Sequence, residues 1–154
     1  MTAADRHDQG GLRALYQQLI LDHYRRPRNR GSLEGAPLEL RRVNPICGDE
    51  VSVQLQMEGD RIAAIRFTGH GCSISQASAS MMTELVSGQD RAGALRIRDL
   101  FHRMLQGDEA AASDSTLRDA RALVGVARFP ARVKCALLPW TALGELLSTD
   151  DGEG

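Results

Sequence analysis

The sequence predicts an α+β fold, with a small antiparallel three-stranded sheet packed against several helices. Two observations carry that prediction. Residues 51 to 57, VSVQLQM, alternate strictly, with Val51, Val53, Leu55 and Met57 on one face, and the turn EGD separates them from a returning segment, RIAAIRF, at 61 to 67. On both sides of this pair, apolar residues recur at helical spacing instead.

Each element has its own signal. Residues 12 to 24, LRALYQQLILDHY, put Leu12, Leu15, Tyr16, Leu19 and His23 on one helical face, and Pro27 with the basic stretch RRPRNRG ends that helix. Residues 38 to 43, LELRRV, supply the third strand on the weakest pattern of the three. Cys47 and Asp49 then fall on the loop NPICGDE between the first two strands. After TGHG and Cys72, the run SISQASASMMTELV keeps Ile74, Ala77, Met81, Met82, Leu85 and Val86 at helical period. Ser73 and Gln76 have the S-x-x-Q form of a capping box, which starts this helix at Ser73 and sets Cys72 at its N-terminus. Residues 94 to 105 form another amphipathic helix, GDEAAASDS is a polar connector, and Leu117, Ala120, Leu123 and Val124 mark a further helix. In the last helix, Pro139 lacks an N–H and is best tolerated in a first turn. The helix is therefore expected to begin at 135 to 138, with Cys135 at or just before its start. The ends, MTAADRHDQGG and STDDGEG, read as polar tails around an ordered stretch of 12 to 147 in one domain spanning 1 to 154.

Composition excludes several classes of function. Nineteen basic against twenty acidic residues give a net charge of −1, which offers no general field for nucleic acid or an anionic membrane. No apolar run is long enough to span a bilayer, and the N-terminus lacks the basic-then-apolar order of a signal peptide. A cytoplasmic location is expected.

Three cysteines, Cys47, Cys72 and Cys135, are an odd set with no C-x-x-C pair, so neither a disulfide framework nor a local metal clip is indicated. Taken singly, each reads as a small core hydrophobe. Their joint placement on a loop and at two helix starts favours thiolates, and three thiolates with the Asp49 carboxylate make a plausible tetrahedral set for a borderline-soft ion. Gly48 would let the loop bring Cys47 and Asp49 to one ion. His70, two residues before Cys72, is the rival for the fourth place, and Asp49 ranks above it because it shares a loop with Cys47. His23 and His102 read as ordinary helix residues, and the Arg25, Arg26, Arg28 and Arg30 cluster as a solvated helix end or a dock for an acidic partner. Arg132 and Lys134 flank Cys135, either as surface charges or as groups that tune its thiolate.

Together, LYQQLILDHYRRPRNRG, NPICGDEV, GHGCSISQASASMM and FPARVKCALLPW resemble the U-type iron–sulfur assembly proteins over nearly the whole chain. The scaffold branch of that family, IscU, has a histidine before its third cysteine, where this chain has Lys134, and a shorter stretch between its second and third cysteines. Both departures match the SufU branch.

The resemblance implies an α+β fold and zinc held by Cys47, Asp49, Cys72 and Cys135. It further implies a PLP-dependent cysteine desulfurase of the SufS type as partner, with Cys47 accepting its persulfide sulfur and an iron–sulfur scaffold or other acceptor downstream. Partner docking would free Cys47, and a histidine of the desulfurase would take its place. Three functions are thus in view: a zinc-dependent sulfurtransferase that activates the desulfurase, a scaffold for an iron–sulfur cluster, and a structural zinc module. Transient binding of a cluster is left open.

Overall fold

A computed structural model of the protein describes residues 3–35 and 37–151. Helix α1 (Ala3–Arg25) is followed by strands β1 (Leu38–Asn44), β2 (Asp49–Glu58) and β3 (Arg61–His70). Helices α2 (Ser73–Val86), α3 (Arg91–Leu105) and the short α4 (Glu109–Ala112) come next, then a 3₁₀ segment (Ser115–Arg128) and α5 (Pro130–Asp151). The expected three-stranded antiparallel sheet is present in the order β1-β2-β3. The two terminal helices run beyond the expected 12 to 147, and residues 1–2 and 152–154 of the expected tails lie outside the described residues. Among the described residues, no helix is long and apolar enough to cross a membrane.

The alternation in β2 has the consequence its pattern demands. Asp49, Val51, Val53 and Leu55 point inward and are fully buried, while the residues between them reach solvent. In β3 the buried positions are Ile62, Ile65 and Phe67, an odd interval explained by a register shift opposite Gln56 and Met57. Helices α2 and α5 pack on this inner face. Burying each large aliphatic side chain there contributes about 1.5–3 kcal/mol before ordering costs. Trp140 of α5 stacks on Phe101 of α3 at 4.5 Å between ring centroids, and its indole N–H donates to Ser78 Oγ at 3.0 Å.

Beyond α1 the chain covers the free edge of β3. Phe67 N–H donates to the Asn29 carbonyl at 3.1 Å, and Gly31 N–H donates to the Phe67 carbonyl at 2.9 Å. The basic stretch is largely paired: Arg26 and Arg28 both bond Asp22, holding its carboxyl below the usual range, and Arg30 donates to the Gly69 carbonyl.

Buried His23 fastens α1 to two other elements. Its Nδ1 lies 2.8 Å from Ser80 Oγ on α2, and its Nε2 lies 2.9 Å from Asp119 Oδ2 on the 3₁₀ segment. That segment replaces the helix expected around 117 to 124: Leu117, Ala120 and Leu123 are buried, but Arg118 at φ +48° breaks the turn. Asp114 accepts from Thr116 N–H and starts the segment, while Asp90 accepts from Gly93 N–H and starts α3 at Arg91, three residues earlier than the apolar period indicates.

Candidate metal centre

The β1–β2 connection is built around Asn44. It is buried, it faces Asp49 in the sheet register, and its side chain closes the turn by accepting from Ile46 N–H at 3.2 Å. Its carbonyl accepts from Gly48 N–H at 2.8 Å, and Gly48 has φ +74°, a conformation glycine adopts without a Cβ penalty. This geometry leaves Cys47 exposed at the apex, beside Ile46 at 77% exposure. Asp49 is not on the loop, as expected from the sequence, but is the first residue of β2. That difference matters, because the strand carries its carboxylate inward to full burial.

The buried carboxylate meets the start of α2. Asp49 Oδ1 accepts from the Cys72 backbone N–H at 2.7 Å, and Oδ2 lies 3.6 Å from Cys72 Sγ. Cys72 occupies the cap position, so the thiol does sit at a helix N-terminus, where the dipole favours negative charge. The S-x-x-Q capping box does not form: Ser73 is already helical, Gln76 Nε2 turns to Ser75 Oγ, and Gln76 Oε1 is buried without a partner. Gly71 makes the close approach possible, because a Cβ built there would overlap the Asp49 carboxylate.

Cys135 departs from expectation. Helix α5 begins at Pro130, so Cys135 lies in its second turn and is buried, with Pro139 inside the helix. The signal for the start is Pro130, whose fixed φ and missing N–H suit a first turn. Pro139 is accommodated further in, and nearby Ser78 Oγ donates to the Ala136 carbonyl at 2.6 Å. Only one cysteine of the three is therefore at a helix N-terminus. Cys135 Sγ faces the turn from the other side and receives Asn44 Nδ2 at 3.8 Å.

Ligand atoms of Cys47, Asp49 and Cys135 all lie within 4.8 Å of one another. Cys72 adjoins the same carboxylate, so the fold gathers all four sequence-derived candidates. For comparison, sulfurs on one tetrahedral zinc are about 3.8 Å apart at a Zn–S bond of about 2.3 Å. Burial first, then hydrogen bonding to Asp49 and Cys47 and the nearby Cys72, push the Cys135 thiol far above its usual range. Among the described residues, no basic side chain is hydrogen-bonded or ion-paired with any of the four. A soft cation would reverse that preference and stabilise the thiolates, and a donor set of three sulfurs and one carboxylate fits zinc better than the oxygen-seeking magnesium or calcium.

Among the described residues, none of the flanking candidates is hydrogen-bonded or ion-paired with the four. His70 is exposed and reaches Glu50 at 3.6 Å. Lys134 is exposed, and Arg132 stacks over the Phe129 ring at 5.3 Å. Two contributors escaped the sequence analysis, Asn44 and Gly71. The Asn-Pro pair at 44 and 45 is a turn signal that would have found the first; the second depends on a close approach that only folding creates. A second polar group, His23 with Glu84 and Asp119, also brings ligand atoms within 4.8 Å of one another. Arg28 lies 3.9 Å from Glu84, so this group already has a cation at hand.

Residues 15–136 match the family model described as the NifU-like N-terminal domain. The chain is 44% identical over 142 residues to a protein named zinc-dependent sulfurtransferase SufU from Bacillus subtilis, covering 92% of this chain and 95% of that one. It is 43% identical over 136 residues to the iron–sulfur cluster assembly scaffold protein IscU of Streptococcus pyogenes, covering 88% and 84% respectively. Among solved structures, a candidate SUF-system scaffold protein from Fervidobacterium islandicum superposes with a TM-score of 0.77 at 35% identity, covering 84% of this chain and 93% of that one. The expected α+β architecture is the one these relatives share, and the chain belongs to the NifU-like N-terminal domain family, with the SufU and IscU proteins of iron–sulfur cluster assembly.

Proposed function

We propose that the protein is a zinc-dependent sulfurtransferase that takes persulfide sulfur from a SufS-type cysteine desulfurase and activates that enzyme. The observation that carries this reading is the convergence of Cys47, Asp49, Cys72 and Cys135 without a basic side chain bonded to any of them. Zinc would be held by these four residues and, being redox-inactive, would keep three thiolates together without oxidising them.

The transfer is a thiolate exchange. The Cys47 thiolate attacks the outer sulfur of the partner's persulfide, a new S–S bond forms at Cys47, and the bond to the partner's cysteine breaks. The partner's thiolate leaves with that bond's electron pair, so no oxidant or reductant is consumed. Accessibility favours Cys47 as acceptor: it sits on the exposed apex of a glycine-containing turn, whereas Cys135 is buried in a helix. Cys72 is also exposed, but its backbone is tied to Asp49 at the start of α2. The outgoing sulfur then passes to a downstream scaffold or other acceptor, and the whole cycle takes place in the cytoplasm.

The likeness to IscU supports a second reading, in which the same residues carry a cluster. One experiment separates the two. The protein purified in air is analysed for metals and added to the desulfurase with cysteine. About one zinc per chain, no visible absorption and faster turnover are expected; stoichiometric iron with cluster absorption and no activation would establish the scaffold instead.

A further inference from the structure

An open apolar groove of about 700 Å³ runs between α1 and the junction of the 3₁₀ segment with α5. Tyr16, Ile20, Ile74 and Val126 line it, and Leu12, Leu21 and Phe129 stand along it at 41–52% exposure. Three arginines also line the groove, Arg13, Arg128 and Arg132, and no carboxylate does. Among the described residues, neither Arg13 nor Arg128 has an ion-pair partner. The groove is linked to the cysteine cluster along the chain: Ile74 follows Cys72 by two residues, and Arg132 precedes Cys135 by about one helical turn.

We propose that this groove is the docking site for a segment of the cysteine desulfurase that carries apolar anchors flanked by carboxylates, and this rests on the partner assigned above. The lining matches such a segment on both counts, since exposed large side chains favour apolar burial while unpaired arginines favour negative charge. Other occupants fit less well. A second copy meeting the same face would set arginines against arginines. The chain's own C-terminus, STDDGEG, has carboxylates but no apolar side chain to fill the groove. None of the four cysteine-cluster residues lines the groove, so a segment seated here would anchor the partner and leave Cys47 open to its persulfide donor.

The test uses the full-length zinc-loaded protein and the purified desulfurase. Binding is measured by calorimetry at low and high salt for wild type, for Arg13→Glu/Arg128→Glu and for Leu12→Asn/Leu21→Asn, with zinc content and melting temperature checked for each. The arginine reversal is expected to weaken binding about ten-fold or more at low salt, with the gap narrowing as salt rises. The leucine variant is expected to weaken binding at both salts, and both keep their zinc. All four side chains are exposed, and if the leucine variant fails to fold, the arginine variant decides alone. Wild type that binds while the folded variants bind within two-fold of it overturns the groove and leaves the sulfurtransferase reading intact. Wild type that does not bind the desulfurase removes that reading and the groove with it. A wild-type dimer that the variants dissolve, seen by sedimentation, assigns the groove to a second copy and overturns the proposal.

Discussion

Two polar clusters tie this fold together, and they differ in how their charge is balanced. Around His23, a buried imidazole bridges Ser80 and Asp119, with Glu84 and Arg28 at the edge, so donors and acceptors match within the protein. Around Asp49, three thiols and a carboxylate converge, and among the described residues no basic side chain bonds to them. Asp49 and Cys135 are buried there while Cys47 and Cys72 are exposed, and a buried carboxylate with no basic side chain bonded to it suits a cation. On the function proposed above, the first cluster is a clasp and the second is the place for a cation.

The strongest way to break this comparison is to remove the proposed cation. Stripping zinc should lower the melting temperature by about 10 °C or more, because the four proposed ligands come from a turn, a strand and two helices, and binding to such a set would be coupled to folding. An unchanged melting curve after verified removal would erase the distinction between the clusters. Asp49→Ala should abolish stoichiometric zinc by elemental analysis, since it deletes both the proposed ligand and the acceptor that holds Cys72 N–H.

Chemistry sharpens the comparison further. Cys47→Ala should still bind the desulfurase but fail to accelerate it, and mass spectrometry after reaction of the wild type with cysteine should find the added sulfur on Cys47. A persulfide mapped to Cys72 or Cys135 would refute the assignment.

Two structural variants probe one cluster each. Gly71→Ala forces a methyl group against the Asp49 carboxylate, so it should cost about 2–3 kcal/mol, lower the melting temperature by about 5–10 °C and weaken zinc retention under chelator. His23→Ala should cost about 2–4 kcal/mol yet keep one zinc per chain, because it empties a fully buried site and removes the bonds to Asp119 and Ser80 away from the centre. Equal zinc loss in both variants would show that the clusters are not separate. The smallest effect is expected from Lys134→Ala, which should retain zinc because the side chain is exposed and is not among the proposed ligands. Loss of metal from that variant would mean the ligand set is misassigned.

Much of this molecule was legible in the sequence. Strict alternation of Val51, Val53 and Leu55 gave one face of the sheet, because a strand's side chains alternate whatever surrounds it. The helical period after Cys72 was legible for a similar local reason, and α2 does start at Ser73, although the S-x-x-Q capping box that set this start does not form. The candidates Cys47, Asp49, Cys72 and Cys135 could be chosen from residue chemistry and family resemblance alone. The start of α5 could not be read from Pro139, because a proline inside a helix is a matter of cost, and packing on the sheet and a neighbouring serine can outweigh it. Nor could the sequence place Asp49 at the first position of β2, where the sheet register sets it opposite Asn44 and buries its carboxylate against Cys72. Gly71 next to that carboxylate and His23 between three elements are likewise contacts between distant parts of the chain. Local periodicity determined the sheet strands and most of the helices, but not the 3₁₀ segment or the start of α5. Tertiary packing alone decided that a turn, a strand and two helices would bring three thiols and a carboxylate together, because the surroundings of a side chain are set by what lies near it in space and not by its neighbours along the chain.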